Sequence, residues 1–202
     1  MTSVTSAGES LLFKPSNIVE RLPIQDLFPT SQSLHVELGA GDGSFLSAYA
    51  KAHPELNFLG VERLLGRLRK IERKSKRFGL TNVRLMRMEA AYLAKYLLPP
   101  GSVSAVHIYF PDPWPKRRHW KNRLITREFA DLLRIALATE GMVYLRTDNR
   151  EYFEQMLQSF RDHPHFEKEE SPAELTGFIT DFERNFNLQG IPTLRAAYRK
   201  KS

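Results

Sequence analysis

The chain has 202 residues, 42% of them hydrophobic and 26% charged, which is enough for one full core and short for two. It contains no cysteine, and this excludes disulfides, thiolate catalysis and cysteine-based zinc sites. The formal net charge is +7, and the cations are clustered, so a phosphate-rich partner is expected. Residues 1–16 lack the basic-then-apolar pattern of a secretory signal, and no apolar run is long enough to span a membrane. A soluble cytoplasmic protein, with no membrane partner and no metal, is the expectation.

Residues 1–32 carry Pro15, Pro23 and Pro29 and read as an irregular leader with a helix near 18–21; residues 33–202 read as a single domain. An alternation of strands and helices follows. A strand over 34–38 gives way to a turn at Gly39, Gly41 and Gly43. A helix over 44–53 presents Phe45, Leu46, Tyr49 and Ala50 on one face. A second strand over 57–61 is closed by Glu62. A helix over 64–78 turns Leu64, Leu65, Leu68 and Ile71 inward and its cations outward. A third strand ends at Glu89, and the helix over 90–98 stops at Pro99-Pro100-Gly101. The fourth strand covers 103–110. A helix over 127–138 has Phe129, Leu132, Leu133 and Ile135 as its core stripe. Gly141 opens a fifth strand over 142–147, followed by a helix over 150–161. The remainder holds strands near 166–170 and 193–199 and a polar helix near 180–187. Such alternation specifies a parallel sheet covered on both faces.

Two segments carry chemistry. In Val36-Glu37-Leu38-Gly39-Ala40-Gly41-Asp42-Gly43, glycines at a strand-to-helix turn permit positive φ and close approach of a ligand to the backbone. Glu62, about twenty residues on, can accept both ribose hydroxyls of a nucleoside. Nicotinamide enzymes share that logic, but with Gly-x-Gly-x-x-Gly spacing and a pyrophosphate at the helix N-terminus. The Gly-x-Gly-x-Gly form here, two residues after Glu37, resembles motif I of the class I S-adenosylmethionine methyltransferases. Glu89 stands where that superfamily often has an adenine-contacting acid; an acid there is also good helix-start chemistry.

The second segment is Tyr109-Phe110-Pro111-Asp112-Pro113-Trp114-Pro115-Lys116-Arg117-Arg118-His119. Each proline fixes its own φ and pushes its predecessor toward extended conformations, which places Asp112 on a stiff loop at a strand end. The cations behind it, through Lys121 and Arg123, suit a polyanion, as does the basic run from Arg67 to Arg77. Trp120 can stack on a base. His35 and His107 read as packing residues.

Taken together, these segments make the chain resemble the bacterial tRNA (guanine-N7)-methyltransferase family over about 34–199, with further matches at Thr147-Asp148 and Thr180-Asp181-Phe182-Glu183. The resemblance implies a Rossmann-like, doubly wound, mostly parallel sheet with an antiparallel C-terminal strand. It implies S-adenosylmethionine as cofactor, with contacts at Glu37, Gly39, Gly41, Glu62, Glu89 and Asp112, and a catalytic role for Asp112. It implies tRNA as partner, methylated on a variable-loop guanosine. Substrate contacts fall at Lys116, Asp148 and Thr180 to Glu183, and RNA contacts at Arg118, His119, Trp120, Lys121 and Arg123. From the residues alone, Asp112 serves either to orient guanine or to anchor the cofactor's amino group. Asp148 contacts the base or caps the next helix, and Glu183 contacts substrate or pairs with Arg184 or Arg199. The rival functions are another S-adenosylmethionine-dependent RNA base methyltransferase and a non-catalytic RNA-binding module of the same fold.

Overall fold

The computed structural model describes residues 10–202. A short strand β1 (Leu12–Phe13) and a helical turn α1 (Ile24–Leu27) precede the alternating body. That body runs β2 (Leu34–Leu38), α2 (Ser44–Ala52), β3 (Asn57–Glu62), α3 (Leu65–Arg77), β4 (Val83–Arg87), then α4 (Ala90–Tyr92), which a π turn over Leu93–Leu97 extends. It continues with β5 (Val103–Tyr109), a 3-10 stretch over Arg117–Asn122, α5 (Arg127–Ala136), β6 (Leu137–Thr147) and α6 (Arg150–Phe160). The C-terminal part holds β7 (Phe166–Glu169), α7 (Ala173–Gly177), α8 (Asp181–Leu188) and β8 (Leu194–Lys200).

One eight-stranded sheet results, in the order β1-β4-β3-β2-β5-β6-β8-β7. The strands from β1 to β6 pair in parallel, whereas β8 pairs antiparallel with both β6 and β7. The fold is the expected Rossmann-like doubly wound sheet with an antiparallel C-terminal strand: β8 alone runs against the others, and β7, antiparallel to β8, returns to the direction of β6. The chain leaves β2 toward β3 and β4 on one side, and leaves β5 toward β6 on the other. The neighbours β2 and β5 therefore form a switch point, and a crevice opens beyond their carboxyl ends.

Alternation within the strands divides the residues between two core layers. Leu34, Val36 and Leu38 of β2 join Val106 and Ile108 of β5 in one layer. On the opposite face, Tyr109 packs with Phe45, Leu46, Tyr49, Leu68 and Ile71 of the covering helices. Glu37 is registered opposite His107, and Tyr109 opposite Arg146, so a row of polar groups lies along that second face, within the sheet.

Several local expectations shift for identifiable reasons. Leu64 is 55% exposed, because it has extended dihedrals and precedes the first turn of α3, off the buried face of Leu68 and Ile71. Ile135 is 40% exposed while Phe129, Leu133 and Ala136 are buried; two residues beyond Leu133, it points away from the stripe. The helix expected near 18–21 appears as α1 instead, immediately after Pro23, whose ring disfavours helical dihedrals in the residue before it. Gly141 lies inside β6, where Leu137 pairs with Val103 but Met142 pairs with Ala105, the signature of a bulge. From residue 10 onward the expected leader joins the fold: β1 pairs with β4, and Leu22, Leu27 and Phe28 are buried in the main core. Its first nine residues lie outside the described residues.

Gly43 precedes α2 with φ +73°, and a Cβ there would stand 2.7 Å from Ile71 Cγ2. Both backbone conformation and packing require glycine. Gly43→Ala is expected to destabilise the protein by about 1–3 kcal/mol, read in urea as a lower midpoint with an unchanged slope.

Candidate active site

The glycine turn after β2 is built by the backbone. Gly39 and Ala40 N–H both donate to Val61 O at 2.9 Å, and Gly43 N–H donates to Ala40 O at 2.8 Å. Gly39 has φ +83°, and the space its Cβ would occupy is open, so a ligand can lie directly on the chain. Glu62 closes β3 and is buried. Its carboxylate accepts from Gly41 N–H at 3.2 Å and Leu64 N–H at 2.9 Å, with the Arg67 guanidinium 3.5 Å away. These bonds tie the acid to the turn and fix its direction.

Two adjoining cavities lie over the switch point. The larger, about 580 Å³, is lined by Gly39, Glu62, Arg67, Glu89, Asp112 and Phe129 among others. The smaller, about 300 Å³, takes in Glu37, Gly41, Asp42, Asp112, Thr180 and Phe182. Gly39, Arg67, Tyr109, Phe110 and Asp112 border both. Asp112 thus stands on the shared wall, exposed, its Oδ1 accepting from Trp114 N–H at 3.3 Å. Both sizes lie within or at the edge of the usual range for small-ligand sites.

Glu37 supplies the electrostatics at the base of the smaller cavity. It is 3% exposed, and its Oε2 has no hydrogen-bond partner. Burial pushes its carboxyl well above the ordinary range; Arg146 pulls it back, and Asp42 and Glu62 push it further up. A buried carboxylate oxygen without a donor is costly, so the pocket is suited to a cationic or N–H-bearing group. Together with the open backbone at Gly39 and the oriented acceptor at Glu62, it fits the amino-acid and ribose ends of an S-adenosylmethionine molecule.

Arg146 gave no functional signal beyond being a charged residue inside an apolar strand. Its buried guanidinium donates to Phe178 O at 2.7 Å, Leu175 O at 2.5 Å and Glu183 Oε2 at 3.0 Å. It also lies 4.1 Å from the centroid of the Tyr109 ring. Arg67, which borders both cavities, was likewise expected only as part of a basic run.

The remaining expected residues divide. Thr180 caps α8, its Oγ1 accepting from Glu183 N–H at 3.0 Å, and it borders the smaller cavity beside the half-exposed Phe182. Glu89 accepts from Ala91 N–H and Tyr92 N–H while facing the larger cavity. Lys116, Asp148, Asp181 and Glu183 line neither cavity. The cap of α6 is Asn149, not Asp148. Asp181 pairs with Arg184. Glu183 is fully buried and pairs with Arg146 and Arg195 rather than with Arg184 or Arg199, so it faces no open space. Arg118, His119 and Lys121 lie at the surface or half-buried. Trp120 is half-buried, with the Arg117 and Arg123 guanidinium groups over its ring. Arg123, expected to touch RNA, is 3% exposed. Beneath the site, His35 Nδ1 and His107 Nε2 are 3.1 Å apart, and His107 Nδ1 and Tyr109 Oη 2.8 Å. Among the described residues no cluster of His, Asp or Glu could hold a metal, and no helix is long and apolar enough to cross a membrane.

Residues 31–196 match the model of a family described as "Putative methyltransferase". The chain is 34% identical to the tRNA (guanine-N(7)-)-methyltransferase of Thermotoga maritima, over 93% of this chain and 60% of that protein. It is 42% identical to the Geobacillus kaustophilus enzyme of the same name, over 67% and 62%, and 32% identical to that of Nitrosospira multiformis, over 89% and 80%. It thus spans about three fifths of the length of the first two relatives. Among solved structures, the 16S rRNA methyltransferase KamB superposes with a TM-score of 0.62 at 14% identity, over 91% of this chain and 95% of that one. The precorrin-6y C5,15-methyltransferase of Geobacter metallireducens does so with a TM-score of 0.55 at 19% identity, over 87% and 84%. These last two share the fold.

Two outcomes follow from the buried charges. Arg146→Met leaves Glu183 facing a lost partner and is expected to cost on the order of 3 kcal/mol, measured by urea denaturation. Burial, then the charge of His53, lowers His35 to about 4 against the partial opposition of Glu55. Burial, then the charges of His35 and Arg146, pushes His107 well down. In the unfolded chain both titrate near the ordinary value of about 6.5. The unfolded state therefore binds more protons below that pH, so their contribution is complete above about 6.5 and is lost as pH falls toward 4. The urea midpoint is expected to decline through that window, and His35→Gln to flatten the decline.

Proposed function

The chain belongs to the tRNA (guanine-N7)-methyltransferase family, and from that premise we propose that it methylates N7 of a guanosine in the variable loop of tRNA, in the cytoplasm, using S-adenosylmethionine. The observation that carries the proposal is the position of Asp112, on the wall between two cavities at the switch point, with exposed Lys116, Arg117, Arg118 and Lys121 directly behind it.

S-adenosylmethionine, when bound, supplies an electrophilic sulfonium methyl group. Glu62 and Glu89 border the cavity that would take its nucleoside end, and Glu37 and the glycine turn border the one that would take its amino-acid end. N7 of guanine is an aromatic lone pair without a proton, so no general base is needed to create the nucleophile. The protein's tasks are to hold the purine, to align it, and to favour the positive charge that the ring acquires. Positioning of this kind is worth roughly 7–11 kcal/mol in favourable cases. The Asp112 carboxylate can accept from guanine N1–H and the exocyclic amino group, and its charge favours a ring becoming cationic. Adenine presents no matching pair of donors at that edge. Phe182, half-exposed and lining the same smaller cavity, offers an apolar face to the base, which must first be extruded from the folded tRNA. The exposed cations of the 3-10 stretch and of α3 hold the backbone.

Incubation of the purified protein with labelled cofactor and bulk tRNA, followed by nucleoside mapping, is expected to yield 7-methylguanosine. Cofactor binding by calorimetry without any methylated product would instead favour an RNA-binding module. Asp112→Asn is expected to lower turnover by about 10²-fold, the scale of losing one group aimed at developing charge, with cofactor binding retained. Near-normal turnover would remove Asp112 from the mechanism.

A further inference from the structure

The loop that carries Asp112 is held in an unfavourable backbone conformation. Phe110 has φ +51° and Trp114 has φ +45°, both in the left-handed region where residues with a Cβ are penalised by roughly 1–2 kcal/mol. Such conformations persist where surrounding contacts over-determine them. At the start of the loop, Phe110 N–H donates to Arg146 O at 2.8 Å. At its other end the contact comes from Arg123, ten residues on. Arg123 Nε donates to Pro113 O at 2.8 Å, Nη1 to Gln155 Oε1 at 2.8 Å, and Nη2 to Glu151 Oε1 at 2.5 Å. Its guanidinium carbon lies 4.5 Å from the Trp120 ring centroid and 4.9 Å from that of Tyr152, and Tyr152 Oη accepts from Ile125 N–H at 2.9 Å.

We propose that Arg123 is a positioning residue for Asp112: it fastens the Pro113 carbonyl to α6 and holds the carboxylate on the wall between the two cavities, without contacting RNA. The proposal rests on the functional reading above. Four observations support it. Arg123 is buried while Lys116, Arg117, Arg118 and Lys121 of the same basic run are exposed. Donors on all three of its nitrogens are engaged inside the protein. The carbonyl it binds belongs to the residue after Asp112. The other anchor points, Glu151 and Gln155, stand four residues apart on one face of α6, so the loop takes its position from a helix packed on the sheet. A lysine keeps the charge but cannot present three donors in a planar fork, which makes Arg123→Lys the informative change.

Three measurements decide. With tRNA and cofactor saturating, Arg123→Lys is expected to lower kcat by at least tenfold. In Arg123→Gln, which removes the charge, the slope of log affinity for tRNA against log salt should stay at the wild-type value; losing one phosphate contact would reduce it by about 0.7–0.9. Amide exchange at residues 110, 112, 114 and 116, followed in the free protein, should accelerate. Glu151→Gln, which keeps the shape of the anchor, should show the same pattern more weakly and covers the case in which Arg123→Lys does not fold. Lys121→Ala provides the contrast, with a shallower salt slope and unaltered exchange. A shallower slope for Arg123→Gln, with kcat preserved in Arg123→Lys, would make Arg123 an RNA contact and overturn the proposal. Weakened cofactor binding with unchanged exchange would make it a ligand contact and overturn it equally. A wild-type protein that forms no 7-methylguanosine defeats the functional reading, and the exchange data then still decide the clamp.

Discussion

A single buried cation organises the site. Arg146 leaves the end of β6 and lies against Tyr109 of the neighbouring strand, and its donors meet two backbone carbonyls and a carboxylate from the C-terminal segment. Together with Arg195 of β8, which pairs with the same Glu183, it attaches α7 and the start of α8 to the second face of the sheet, where Thr180 and Phe182 line the smaller cavity. The same charge lies close enough to Glu37 to favour its ionised form against the effect of burial. One guanidinium therefore couples the strand ladder, the C-terminal helices and the acid at the base of the cavity. Isolated charges at such depth are prohibitive, so the pairing with Glu183 is the condition on which this arrangement exists.

The basic residues fall into two physical classes that composition does not separate. Arg117, Arg118 and Lys121 are exposed, as are most cations of α3, and they generate the field a polyanion meets. Arg123 and Arg146 are buried and bound to protein acceptors; their charges are consumed within the fold. Both classes are needed, because a flexible loop facing phosphates would bind RNA without holding a base in line. Long-range attraction tolerates mobility, whereas displacement at a methyl group requires fixed geometry.

The loop between β5 and the 3-10 stretch shows how that geometry is maintained. Prolines at 111, 113 and 115 restrict the chain, yet Phe110, just before the first, and Trp114, just before the last, adopt left-handed φ. Stiffness alone does not stabilise such a conformation; it narrows the alternatives, and hydrogen bonds to both ends select among them. The outcome is an exposed carboxylate on a backbone with little freedom, at the place where open α/β sheets put their ligands.

Periodicity and turn chemistry in the sequence were enough to specify the alternating strands and helices, the doubly wound sheet, the glycine turn, Glu62 at the close of β3 and the stiff acid after β5. These are short-range properties: the side chains of neighbouring residues in the chain decide them. What needed the tertiary structure was which charges face water. Arg123 and Lys121 are two residues apart and chemically alike, and only the packing of α6 against the loop buries one and exposes the other. Glu183 and Arg146 are separated by 37 positions, and nothing local to either predicts their pairing, since a buried ion pair is formed by elements that meet after the chain has folded. The insertion of β8 between β6 and β7 and the recruitment of residues from 10 onward into sheet and core were decided the same way, by edges and faces that exist only once the central strands have assembled.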